Sequence, residues 1–207
     1  MWVVLLTDDK LIYLVGRGFM KGFVLAGALS FLENLFDQDV VWDQMDYREI
    51  PEGGIYSPMI DYPDESLQKL IEHVAGFLNM PCSRLSKIMG IHLFAELLSL
   101  NPSWVEQAGN TFELLKSHDT ALNEDMERAF PGFIGPSFDC FEFSSDRMKI
   151  NYKSLFLPAD VAEGLIAAAA IHYNENFFIE PIKPDLTVNF NLQFILRRKC
   201  KNEIKAT

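Results

Sequence analysis

The sequence predicts an α+β domain in which helices come first and an antiparallel sheet, packed by one further helix, comes after them. Three observations carry this expectation. Between residues 22 and 129, apolar side chains recur at helical spacing in blocks separated by Pro and Gly. After Pro136 the period shortens towards two, in runs rich in aromatic and β-branched residues. A single helical block at 158–173 then divides two pairs of strand-like runs, the order expected of an α+β chain.

The first helical block opens at Gly22, with Phe23, Leu25, Ala26, Leu29, Leu32, Leu35 and Phe36 mostly on one side. Trp42 and Met45 predict a second, short helix before the turn cluster Pro51-Glu52-Gly53-Gly54. Residues 55–63 are punctuated by Pro and read as an extended loop with room for a short helix or strand. Asp64 is the N-cap candidate for an amphipathic helix whose Leu67, Leu70, Ile71, Val74, Phe77 and Leu78 share a face, until Pro81 interrupts. Ser83 opens the next helix, with Leu85, Ile88, Met89, His92, Leu93 and Leu97 inward, and Asn101-Pro102 breaks it. A short helix at 103–108 leads to a long one at 112–129, with Phe112, Leu115, Leu122 and Met126 inward and Asn123 on their margin.

In the sheet region Phe138, Cys140, Glu142 and Ser144 alternate with Asp139, Phe141 and Phe143, and Met148, Ile150 and Tyr152 continue the pattern across a turn at Ser144-Ser145-Asp146. Pro158 suits the first turn of the 158–173 helix. The alanine run at 167–170 lets that helix approach its neighbours closely. Strands at 176–182 and 186–197 complete the sheet, followed by a basic, frayed tail at 198–207.

Composition narrows the function. The chain has 207 residues, enough for one domain with a real core, and its 49% hydrophobic and 23% charged content is ordinary for a globular protein. Seventeen Phe fit either an enclosed apolar cavity or a dense core. A net charge of −11 opposes phosphate backbones and anionic membranes, so neither nucleic acid nor membrane is an expected partner. Cys82, Cys140 and Cys200 are odd in number, far apart and free of zinc-type spacing, which points to a reduced, cytoplasmic setting. Nucleotide, phosphate-loop and nucleophile-elbow motifs are absent and the acids at 64–66 and 124–127 are helix-start and helix-face residues, so no enzyme is expected.

The segment DTALNEDMERAFPGFIGPSFDC at 119–140 and the strand NYKSLF at 151–156 are the most specific features. They resemble the proximal half of a heme nitric-oxide/oxygen-binding (H-NOX) domain. In that family a helix carries the axial histidine of the heme, a Tyr-Pro-Gly turn and Pro-Ser-Phe follow, and a Tyr-x-Ser-x-Arg strand holds the propionates. Here Phe130, Pro131 and Gly132, then Pro136, Ser137 and Phe138, then Tyr152 and Ser154 keep those landmarks. Asn123 stands where the resemblance puts the histidine, and Phe156 where it puts the arginine. An amide is a poor iron ligand, and a phenyl ring cannot supply the planar fork of donors that pairs with carboxylates. Lys153 alternates to the other face of its strand. His118 lies five residues before Asn123, about 140° round a regular helix, and is expected to face elsewhere, exposed or marginal.

The resemblance therefore implies a degenerate heme pocket made of Asn123, Pro136, Tyr152, Ser154 and Phe156, with no cofactor expected and heme b as the alternative. Each residue also has a structural reading: Asn123 bonded to a neighbouring turn, Tyr152 and Ser154 used within the sheet, Pro136 fixing the entry of a strand. His92, on an apolar helix face, is the fallback axial ligand, with a hydrogen-bonded core histidine as its structural reading. The family's start, at Met-(Lys/Tyr)-Gly, is matched by Met20-Lys21-Gly22. Residues 1–19 are thus expected to lie outside the domain, with a hairpin turning at Asp8–Lys10 as the alternative. The domain is expected to span 20–197, helical over 20–136 and mixed over 137–197. The resemblance implies a regulatory domain acting through a diguanylate cyclase, a histidine kinase or a chemotaxis receptor, or through a small ligand. A heme-free copy stands beside a heme-bearing one in guanylate cyclase heterodimers. The alternative is a working gas sensor with a non-standard axial ligand.

Overall fold

The computed structural model describes residues 19–35, 50–63, 65–100, 102–182 and 192–199. The hairpin at Asp8–Lys10, the short helix around Trp42 and Met45, the Asp64 cap and the end of the tail lie outside the described residues.

Strand β1 (Phe19–Lys21) leads into helix α1 (Gly22–Leu35), and β1 pairs antiparallel with β2 (Asp61–Pro63). This two-stranded ribbon gives the extended 55–63 segment its role. It begins at Phe19, one residue before the expected boundary. Lys21 is buried and tied to Asp61 by an ion pair of 2.7 Å. Helices α2 (Glu65–Phe77), α3 (Cys82–Leu100) and α4 (Pro102–Ala108) follow at the expected places. The Leu67, Leu70, Ile71 and Val74 stripe of α2 is fully buried.

The expected long helix is three pieces: α5 (Thr111–Ser117), a π-helical turn (His118–Leu122) and α6 (Asn123–Ala129). Asn110 caps the start, its side chain accepting the Glu113 N–H at 3.0 Å. In the π turn the Asn123 N–H reaches back five residues to the carbonyl of His118. One extra residue in that turn re-aims every side chain before it relative to those after it.

Strands β3 (Ser137–Ser144) and β4 (Arg147–Lys153), helix α7 (Ala159–His172), and strands β5 (Phe177–Ile182) and β6 (Leu192–Arg198) form the second half. The sheet runs β3-β4-β6-β5, every pair antiparallel. The alternation along β3 breaks at a register shift between Glu142 and Ser144.

Helix α7 is apolar almost all round because it is covered on two sides. Val161, Ala168 and Ala169 belong to the core of the helical half, while Ala162, Ile166 and Ala170 belong to the core under the sheet. Its contact with α3 is backbone to backbone. A Cβ on Gly90 would lie 2.1 Å from the Val161 carbonyl oxygen, and one on Gly164 2.1 Å from that of Lys87.

The expectation of a frayed tail from 198 is corrected at Arg198. This residue ends β6, pairs with Glu175 at 2.5 Å and stacks on Phe112 and Phe177 at 5.6 and 5.0 Å. Glu175 also accepts the Thr111 N–H at 2.9 Å, fixing the start of α5 to the sheet. Burial pushes the Glu175 carboxyl up, but the Thr111 hydrogen bonds and Arg198 outweigh it and hold it below its ordinary value.

Candidate functional site

A cavity of about 60 Å³ lies where α1, α3, the π turn and α6 meet the 133–136 and 156–157 segments. Asn123, Pro136 and Phe156 line it, together with Phe23, Met126, Phe133 and His118. Tyr152 and Ser154 do not; they open onto a separate surface depression beside Glu65 and Gln68.

Asn123 faces the turn that follows its own helix. Its Nδ2 donates to the Pro136 carbonyl at 2.9 Å. A Cβ on Gly135 would lie 2.2 Å from Asn123 Oδ1, so the amide fits only because position 135 has no side chain. Pro136 thus serves as the acceptor of this clamp at the entry to β3.

His118 is the site residue the sequence reading missed. It is 5% exposed rather than marginal, and it lines the same cavity as Asn123. The π turn is the reason. With wider turns, five residues come close to one revolution, whereas a regular helix would have set the two side chains well apart. The ring packs between Phe138 at 4.5 Å and Trp104 at 6.0 Å. Its Nδ1 lies 3.0 Å from Asp119 Oδ1. Asp119 also accepts from Ser137 Oγ at 2.8 Å and from the Phe138 N–H at 3.1 Å. Burial pushes this carboxyl up, but the hydrogen bonds from His118, Ser137 and Phe138 outweigh it and hold it below its ordinary value. An ionised carboxylate is acceptor only, so His118 carries its proton on Nδ1.

The Tyr152 hydroxyl donates to the Leu157 carbonyl at 2.7 Å, and burial pushes its pKa well up. Ser154 Oγ accepts the N–H groups of Phe156 at 3.3 Å and Leu157 at 2.9 Å. Both polar groups therefore hold the 154–157 turn. Phe156 is 8% exposed. Its ring ends a row of aromatics that runs along the cavity wall: Phe130 on Phe23 at 4.4 Å, Phe23 by Phe133 at 5.3 Å, and Phe133 by Phe156 at 6.5 Å.

The structure places His92 outside this cavity. Its ring packs against Phe31 at 5.1 Å, and its Nε2 lies 3.5 Å from Glu96 Oε1, too long for a good hydrogen bond. Leu93 and Leu97, one residue and five residues further on, are the ones that reach the cavity. His92 therefore does not share the cavity of Asn123. Among the described residues, no group of three His, Cys, Asp or Glu side chains is placed to hold a metal ion, and no helix is long and apolar enough to cross a membrane.

The chain belongs to the heme-NO-binding family, whose model, described as Haem-NO-binding, matches residues 21–181. Solved structures agree on the fold. The H-NOX protein of K. algicida, in its Fe(II) unliganded state, superposes with a TM-score of 0.76 at 19% identity, over 88% of this chain and 98% of that one. An H-NOX protein of S. oneidensis in the Fe(II)NO state gives a TM-score of 0.75 at 20% identity, over 87% and 100%. The H-NOX of Shewanella woodyi in the Fe(II)CO state gives 0.70 at 23%, over 87% and 95%. No curated protein sequence matches the chain.

The group this family implies does not fit the residues as they stand. The cavity, about 60 Å³, is far below the roughly 300–1,000 Å³ of small-molecule and cofactor sites. The amide at 123 is bonded to Pro136, the phenyl ring at 156 lines the cavity and offers no hydrogen-bond donor, and Tyr152 and Ser154 are engaged within their own turn. Lys153, the nearest cation in sequence, is exposed at the end of β4.

Proposed function

We propose that the chain is a heme-free member of its family, a regulatory domain that acts through a protein partner and not as an enzyme. The observation that carries this reading is the Asn123–Pro136 clamp beside a cavity walled by Phe156 and its aromatic neighbours. Each replacement does a structural task, so the pair reads as a remodelled core. Stability points the same way. At about 24 cal/mol per Å³ of empty core, the cavity of 60 Å³ costs about 1.4 kcal/mol. A dry void of roughly 300 Å³ would cost about 7 kcal/mol by the same measure, a large part of a domain's stability of about 5–15 kcal/mol. Signalling proteins of the cytoplasm, such as a diguanylate cyclase, a histidine kinase or a chemotaxis receptor, are the partner classes this reading favours.

The test is the absorption spectrum of protein purified from cells supplied with heme precursor. A colourless protein is the expected result. A sharp Soret band that shifts with CO or NO overturns the reading.

One observation favours a second reading, a gas sensor with a displaced ligand: the imidazole of His118, and not that of His92, stands at the cavity. In that case the Soret band is lost in His118→Ala and kept in His92→Ala.

A further inference from the structure

The outer face of the sheet departs from the character of the whole chain. Phe141, Phe143 and Phe178 are 43%, 58% and 41% exposed on it, and each carries a cation over its ring. Lys149 Nζ sits 4.9 Å from the Phe141 centroid, and the Arg147 guanidinium 5.6 Å from that of Phe143. Phe178 has two, Arg197 at 4.5 Å and Lys199 at 4.6 Å. The strand register explains the clustering. Arg147 lies directly opposite Arg197, which lies opposite Phe178, and in the next row Phe141, Lys149 and Ile195 are neighbours. Arg147 and Arg197 thus stand on facing residues of adjacent strands, a placement in which like charges ordinarily disfavour each other. Between them and β5 lies a shallow depression of about 590 Å³, lined by Arg147, Phe178, Pro181, Ile195 and Arg197 together with one acid, Glu180, opposite Ile195. No carboxylate among the described residues pairs with Arg147, Lys149 or Lys199. The net charge of −11 for the chain is thus distributed around a locally basic, aromatic face.

We infer that this sheet face is the docking surface for an acidic, partly apolar segment of the partner protein, an inference that rests on the proposed function and names the surface through which it acts. Carboxylates on the segment match the planar fork of Arg147 and the ammonium groups of Lys149 and Lys199, and its apolar side chains match Phe178 and Ile195. Charge complementarity of this kind sets the register of a complex and speeds encounter. A single-stranded nucleic acid fits the face less well. Bases need open ring faces on which to stack, and here each ring already lies under a cation. The acidity of the remaining surface also opposes a polyanion approaching from a distance.

The experiment uses the full chain and a fluorescein-labelled peptide of four Glu-Glu-Leu repeats, read by fluorescence anisotropy. Parallel arms use a labelled oligothymidine of equal charge and vesicles of phosphatidylcholine with phosphatidylserine. Arg147→Glu with Lys149→Glu is compared with Lys69→Glu with Arg128→Glu, which changes net charge equally on other faces, and circular dichroism confirms that both are folded. The expected result is saturable peptide binding, weakened at least tenfold by the sheet-face pair, within twofold of the parent in the control pair, and weaker as salt rises. Absence of saturable peptide binding overturns the proposal. So does equal weakening by both variants, or tighter binding of the oligothymidine or the vesicles than of the peptide. None of these outcomes alters the Soret measurement, so the docking surface and the heme-free reading fail separately.

Discussion

Asn123 Nδ2 and the Pro136 carbonyl oxygen are 2.9 Å apart, and this contact joins the last helix of the helical half to the first strand of the sheet. Asp119, at the start of the π turn, holds the next two residues, Ser137 and Phe138, in the same way. Three consecutive residues of the Pro-Ser-Phe segment are thereby fastened to one side of one helix. The polar chemistry of this site serves that junction.

Asp119→Ala leaves the Phe138 N–H, the Ser137 hydroxyl and the His118 ring without their acceptor. The carboxylate side chain is 38% exposed, so water recovers part of the loss. The expected destabilisation is about 1–3 kcal/mol, the range for unsatisfied polar groups. Urea denaturation followed by circular dichroism measures it.

The acid limb of the stability curve follows from the same residue. The Asp119 pKa in the folded protein is held below the ordinary value of 3.8, and that of Glu175 is held below 4.5. A carboxyl lowered on folding contributes its stability above the unfolded value and loses it as pH falls through the folded one. Stability is therefore expected to decline as pH drops below about 4.5 through these two groups. The decline is shallower in Asp119→Asn, whose stability is lower at neutral pH and changes less on acidification. Denaturant midpoints measured from neutral to acidic pH give the comparison, and parallel curves for parent and variant would contradict it.

Gly90→Ala forces a methyl to within 2.1 Å of the Val161 carbonyl. The atom in the way is backbone, so α3 and α7 must separate. Overpacking of this type costs about 1–3 kcal/mol or more, visible as a fall in Tm. Ala168→Gly, on the same helix α7 but without the clash, is expected to lower Tm less.

Phe156→Ala removes the ring that lines the cavity beside Phe133. It is expected to cost about 3–5 kcal/mol, the range for large-to-small changes at a buried aromatic. Adding small apolar molecules to this variant should raise its Tm, and should do so less in the parent. An equal response in both would show that the ring is not what fills the space.

The order of elements could be read from the sequence because each has a strong local signal: the stripe of α2, the alternation of β4, the Pro before α7. The β3–β4 pairing followed from the hairpin turn at Ser144-Ser145-Asp146, whereas the pairing of β4 with β6, across α7, had no local signal. The π turn could not be read, because an inserted residue inside a helix leaves the surrounding apolar pattern nearly unchanged. His118 was misplaced for that reason alone. Asp119 offered a usable signal, a carboxylate one turn before Asn123 and in reach of a Ser-containing segment, but its three donors come from residues up to nineteen positions away. Arg198 looked like part of a basic tail because its partners, Glu175 and the rings of Phe112 and Phe177, are remote in sequence. His92 shared a helix face with leucines, yet its own ring turned towards Phe31 while Leu93 and Leu97 reach the cavity.

Titration of hemin into the purified protein under reducing conditions, followed by absorbance, tests the central claim most directly. The account predicts the spectrum of free hemin growing in proportion to what is added, with no break at one equivalent. It predicts the same for Asn123→His with Phe156→Arg beyond weak, incomplete binding, because Gly135, Pro136 and the aromatic row still enclose the site. A break at one equivalent in the parent protein, with a sharp Soret band that shifts on adding CO, would contradict it.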